Sequence, residues 1–363
     1  MKKVLIFFGV LLLLVFTFWS IKTYVSIQPV AWTPRESPDL NGVLAENSLL
    51  ESSNKIDLNG WQGPEDIAID EDGNIFSGVH GKNDFNTGLI LKIGTNRKHT
   101  VFCNTKSWIT GLAFDNNGNL IACDSKRGLT SIDKKGQLSV LASKDEKGRD
   151  FLIPNDVDIA SDGLIYFSNT SSTMRFSLEN VMKIILESKP DGGLFRYDPK
   201  TKKVETLIDG ALFANGVAVS KNDDFVLMVE LTTYRVLRYW LKGKKKGETD
   251  IFIDNLPGFP NGISRRPDGS FWIGFSTYRD KNLDKIHPSP FMKKIVFGLP
   301  QWLQPQNAPY GMVMHLSESG EIIKTYYDTS GKWVSEASSV EESNGFLYLG
   351  GDLTNHIVKY KLP

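Results

Sequence analysis

Six times along the chain one short plan recurs: an alternating apolar strand, a tight turn, and a second strand rich in β-branched and aromatic residues. The copies read PEDIAIDEDGNIFSGV from Pro64, ITGLAFDNNGNLIACD from Ile109, PNDVDIASDGLIYFSN from Pro154, ANGVAVSKNDDFVLMVE from Ala214, PNGISRRPDGSFWIGF from Pro260 and ASSVEESNGFLYLGG from Ala337. Counted from Glu65, Thr110, Asn155 and Asn261, an Asp-Gly or Asn-Gly pair falls at plus seven and plus eight each time. Such pairs are the strongest short hairpin signals, because both central positions need a positive φ. Asn215 keeps the spacing with Asn222-Asp223, and the copy at Ser338 is one residue shorter.

Between the copies lie further strand pairs, such as GLTSIDKKGQLSVLA and GMVMHLSESGEIIKTYYD. A repeat of four antiparallel strands is the blade of a propeller, which closes radially and leaves few exposed edges. The spacing predicts an all-β, six-bladed β-propeller over residues 51–363, with insertions near 172–190 and 279–309. In that fold each innermost strand starts beside the axis. Glu65, Thr110, Asn155, Asn215, Asn261 and Ser338 are therefore expected around one central cup.

A carboxylate and three amides, with no His or Cys among them, form an all-oxygen donor set that suits calcium better than zinc or copper. Glu65, Asn155, Asn215 and Asn261 are the candidate ligands. The same asparagines also suit the turn into each strand. Asp66 and Asp156 follow two of the markers; since successive strand residues face opposite ways, they are expected to cap backbone groups or to hold a second cation. His80 and Glu230 each fall fifteen residues after a marker, where the second strand has returned to the same face. They are the candidates to approach a bound water as base or hydrogen-bonding group. His99, His287, His315 and His356 form no constellation with Ser or Cys, so no nucleophilic triad is expected.

The N-terminus is of another kind. Met1-Lys2-Lys3 precedes an uncharged apolar run from Val4 to Ile21, which as a helix would reach about 27 Å, close to a bilayer core. Bulky residues at its end argue for an uncleaved anchor (4–21) over a cleaved signal, with a cytoplasmic tip (1–3) and a linker (22–50). Lys2 and Lys3 place the remaining chain on the extracytoplasmic side. With 42 basic and 42 acidic residues the chain carries no net charge and no footprint for nucleic acid. Cys103 and Cys123 are the only cysteines; a disulfide within one repeat and two buried thiols are both open.

The insertions are apolar. SLENVMKIILESKP carries Leu178, Val181, Met182 and Ile185 at helical spacing and predicts an amphipathic helix ending before Pro190. HPSPFMKKIVFGLPQWLQPQNAP from His287 is a second, Pro-punctuated excursion with Trp302 expected to be exposed. Both are expected to form an apolar lid on the cup.

The stretch from Gly192 to Phe275, with ANGVAVS, VLRYWLKG and LPGFPNGI, resembles the strictosidine synthase-like family, and more distantly the paraoxonases and gluconolactonases. The resemblance implies calcium ligands at Glu65, Asn155 and Asn215, and a second, structural calcium at Asp66 and Asp156. Relatives typically carry Asp where this chain has Asn261, which implies a weaker site. Ser338 stands where strictosidine synthase has its catalytic glutamate, so its condensing reaction is not expected. Thr110 stands where paraoxonases have a histidine. The reading that remains is a membrane-anchored, calcium-dependent hydrolase of small hydrophobic esters or lactones. A non-catalytic propeller that binds a ligand or partner, with a structural metal, is the alternative.

Overall fold

A computed structural model describes residues 26–363 except 83, 301, 302 and 305–307. The apolar run at 4–21, the tip at 1–3 and Trp302 lie outside the described residues. Among the described residues no helix is long and apolar enough to cross a membrane.

Six four-stranded antiparallel sheets form the blades of a β-propeller. Their innermost strands are Ile67–Ile69, Ile109–Phe114, Pro154–Ile159, Ala214–Val219, Gly258–Arg265 and Val340–Ser343, numbered here as blades 1 to 6. The last blade takes only three strands from the C-terminal chain. Its fourth is Asn54–Asp57, which pairs antiparallel with His356–Lys361, Ile56 opposite Ile357. The ring is thus closed by chain from both ends, and the last sheet reaches the same four strands as the others.

Apolar side chains pack between blades. One cluster joins Ala68 and Phe76 of blade 1 to Leu112 and Leu120 of blade 2, and another joins Cys123 to Phe167 and Phe195 of blade 3. Cys103 and Cys123 lie in different sheets and different clusters, both as buried free thiols, which is the second of the two readings left open by the sequence. Part of the expected linker is fixed to blade 5: Thr325 Oγ1 donates to the Val43 carbonyl, and Tyr327 Oη donates to that of Leu44.

The chain divides into two compact units, the propeller unit being residues 36–176, 190–279 and 308–363. Among the described residues the other unit gathers 26–35 with the two insertions, Ser177–Lys189 and Asp280–Asn307. The insertions carry the helices α1 (Leu178–Glu187), α2 (Lys281–Ile286) and α3 (Pro290–Gly298), capped by Ser177, Asp280 and Ser289. The described chain before Arg35 is stitched to them: the Val30 amide donates to the Glu187 carbonyl and the Trp32 amide to that of His287. The fully buried Lys293 donates to the Val30 carbonyl at 2.7 Å and to Ser188 Oγ at 3.0 Å. Burial lowers its pKa to about 8.

Candidate metal centre

The six markers converge. Glu65, Thr110, Asn155, Asn215, Asn261 and Ser338 are each between 3% and 6% exposed and all line one central channel of about 270 Å³. A local device brings them there: the strand pairing slips between Ile109 and Gly111, Pro154 and Val157, Ala214 and Val217, and Pro260 and Ile263. Each marker in blades 2 to 5 therefore sits in a bulge, out of the ladder, where a strand re-aims its side chains.

Asp66 and Asp156 line the same channel as Glu65 and Asn155. Their carboxylates are taken by backbone. Asp66 accepts from its neighbour Ile67 N at 2.8 Å and from Leu112 N of blade 2 at 2.6 Å. Asp156 does the same with Val157 N at 2.7 Å and Val217 N of blade 4 at 2.6 Å. Asp158 repeats the pattern with Ile159 N and Val219 N. Each carboxylate is an inter-blade clasp, with one backbone amide on each oxygen, the backbone-capping role expected for Asp66 and Asp156.

The amides of two markers have a fixed orientation. Asn155 Nδ2 donates to Thr170 Oγ1 at 3.2 Å, and the Thr170 hydroxyl itself donates to the Ala214 carbonyl at 2.7 Å. Since the hydroxyl proton is committed, Thr170 can only accept from Asn155, and the amide oxygen must point the other way. Asn261 Nδ2 donates to Ser276 Oγ at 2.8 Å, fifteen residues on as in the Asn155–Thr170 pair. Glu65 Oε2 is buried with no hydrogen-bond partner. Burial first, and then the charges of Asp352, Asp66, Asp156 and Glu336, push its pKa well above the ordinary carboxylate range. An orphaned carboxylate oxygen beside oriented amide oxygens fits a hard divalent cation. Among the described residues no group of three or more His, Cys, Asp or Glu side chains is placed to hold a metal ion, so such a site depends on the asparagines.

Neither candidate base stands in the channel. Glu230 is 2% exposed and pairs with Arg235 at 2.5 Å, while its other oxygen accepts from Leu212 N at 2.8 Å. Its partner lies five residues on in the same hairpin, so the position is a structural ion pair rather than a base. His80 is 1% exposed, and its Nδ1 contacts the Gly81 carbonyl at 2.8 Å. Its Nε2 has no partner and faces Gly63, where a Cβ would stand only 2.3 Å away. That nitrogen is turned towards Gly63, and His80 is not among the residues that line the channel. His80 instead underlies an aromatic wall, with Phe85 at 4.4 Å and Trp108 at 5.4 Å between ring centres. Phe176 completes it against Trp108 at 4.6 Å, and Trp108 Nε1 donates to the Gly63 carbonyl, two residues before Glu65.

Sequence reasoning missed this wall and three further carboxyls. Burial raises Asp352 to about 6, and burial together with Asp352 raises Glu336 to about 8. In the channel lining itself Glu341 is raised by burial and by Asp66, Asp158 and Asp156, against Arg265.

The strictosidine synthase family model matches residues 155–244, and the strictosidine synthase-like N-terminal model matches residues 42–81. The chain is 31% identical to adipocyte plasma membrane-associated protein of Bos taurus, over 93% of this chain and 85% of that one. It is 30% identical to protein strictosidine synthase-like 3 of Arabidopsis thaliana, over 95% of this chain and 93% of the relative. Among solved structures, a gluconolactonase from Xanthomonas campestris superposes with a TM-score of 0.61 at 15% identity, covering 93% of this chain and 98% of its own. The calcium-binding protein regucalcin from Agrobacterium tumefaciens gives 0.58 at 13% identity, covering 85% and 94%. These two likenesses are of fold: a six-bladed propeller. Read with the relatives in sequence, the ring of markers and the matched segments place the chain in the strictosidine synthase-like family.

Proposed function

We propose that the protein is a calcium-dependent hydrolase of small hydrophobic esters or lactones, held by its N-terminal apolar run on the extracytoplasmic face of a membrane. The observation that carries the reading is the orphaned Glu65 Oε2 beside the oriented oxygens of Asn155 and Asn261. A solved gluconolactonase and a solved calcium-binding regucalcin of this fold support it, as does a relative whose name places it at the plasma membrane. Glu65, Asn155, Asn215 and Asn261 would hold the ion. Bound there, calcium would supply Lewis acidity to polarise a carbonyl oxygen. Thr170 and Ser276 keep the amide oxygens aimed at it, so little reorganisation is needed on binding. Phe85 and Phe176, half-buried and backed by the fully buried Trp108, would offer apolar surface to an acyl or aryl group.

Hydrolysis of phenyl acetate and of a hydrophobic lactone should fall to background in EGTA and in Glu65→Gln. Activity that survives both treatments would sink the metal mechanism. A second reading, a ligand-binding propeller without catalysis, is favoured by Glu230, whose two oxygens are held by Arg235 and Leu212 N, and by the position of His80 outside the channel lining. Calcium binding without turnover on either substrate would select it.

A further inference from the structure

The channel ring contains one marker carboxylate, yet the last blade delivers another to its rim. We propose that Asp352 is a ligand of the cation site at Glu65, supplying from blade 6 the second carboxylate that Asn261 does not provide. The inference rests on the metal reading above and goes beyond it in naming a ligand outside the six markers.

The argument begins with how the chain leaves the strand Phe346–Leu349. The next residues, Gly350 and Gly351, are pressed onto the start of blade 1: Gly351 N donates to the Pro64 carbonyl at 3.0 Å. A Cβ on Gly350 would stand 2.1 Å from that same oxygen, so only glycine permits the approach. Asp352 follows directly and is carried to Glu65, for which it is the strongest neighbouring charge. It lies against the hydroxyl of Ser338, the sixth marker, whose Oγ donates to the Glu65 carbonyl at 2.7 Å. From the other side Glu336 Oε1 accepts from Leu353 N at 2.9 Å and fixes the turn.

Two oxygens then stand out. Glu65 Oε2 and Asp352 Oδ1 are both buried and both without a hydrogen-bond partner. Two neighbouring carboxylates in that condition are costly unless they share a proton or a cation. The amide oxygens of Asn155 and Asn261 favour the cation, since they add acceptors and no donor. The ligand set becomes two carboxylates and three amides, and charge count is one of the terms that sets calcium affinity.

Calcium titration of the full-length chain by calorimetry, with Tb³⁺ luminescence as a second reporter, tests this. Asp352→Asn, which keeps an oxygen but loses the charge, should weaken binding by at least about tenfold, and Asp352→Ala should in addition leave about one more water on bound Tb³⁺ by lifetimes in H₂O and D₂O. Affinity in both variants and hydration in Asp352→Ala equal to wild type, with Glu65→Gln impaired, would overturn the proposal and leave the metal reading standing. No calcium binding by the wild type overturns both, and points to a shared proton instead. Should either variant fail to fold, carbodiimide labelling of wild type with mass spectrometry answers the same question. Calcium should protect Asp352 from modification relative to EGTA, and equal labelling counts against ligation.

Discussion

At the residue scale the site depends on which way an amide points, and that is set by a hydroxyl one strand away. Thr170 accepts from Asn155 because its own proton is given to Ala214 O. Thr170→Val keeps the shape and removes both bonds. Leaving a buried amide and a buried carbonyl unpaired should cost about 1–3 kcal/mol in urea unfolding, and calcium affinity should fall as the amide turns. An unchanged unfolding midpoint would mean the orientation is set by something else. The positions of Glu65 and the asparagines were legible because a fixed offset to the turn gives the phase of each repeat. The environments of His80 and Glu230 were not. An offset of fifteen residues returns a side chain to the right end of the blade, but says nothing of an arginine across the hairpin or a glycine pressed against the imidazole.

At the element scale the blades are joined by clasps and by closure. The carboxylates of Asp66, Asp156 and Asp158 each tie the inner strand of one blade to that of the next through amide bonds of 2.6 to 2.8 Å. Asp156→Asn replaces an acceptor by an amide donor facing a backbone N–H. The variant should lose about 1–3 kcal/mol of stability without losing calcium, which denaturation with and without EGTA would separate. A calcium-dependent loss would instead revive Asp156 as a metal ligand. Deleting residues before Leu58 removes the strand Asn54–Asp57 and bares His356–Lys361 as an edge, so aggregation and broadened unfolding are expected. Blade count and hairpin register could be read from the repeats. The bulges could not, since they exist only relative to the partner strand, and Asp352 reaches Glu65 only because the ring closes.

For the whole molecule, the channel and the turn of blade 6 beside Glu65 gather acid without matching base, and this sets a pH dependence. Burial raises Asp66 and Asp352 to about 6 and Glu336 to about 8, and pushes Glu65, Asp156 and Glu341 well upward. An acid whose folded pKa exceeds its unfolded value near 4 binds more protons when folded, so its contribution is full at low pH and lost as pH rises through the folded value. His315 and His356 act oppositely: burial lowers both, so the neutral folded form gains as pH rises through about 6.5. The carboxyls outnumber them and are deeper. In EGTA the propeller should therefore melt at a lower temperature at pH 8 than at pH 5. Calcium should reverse the slope, because ligands must be deprotonated to bind it and its stabilisation grows with pH. Melting curves from pH 5 to 8, with EGTA and with calcium, check both signs. A profile in EGTA that rises with pH would mean that the channel acids are paired in a way this ring of carboxylates does not provide. Converging profiles at pH 5 would locate the competition between proton and cation at Glu65 and its neighbours.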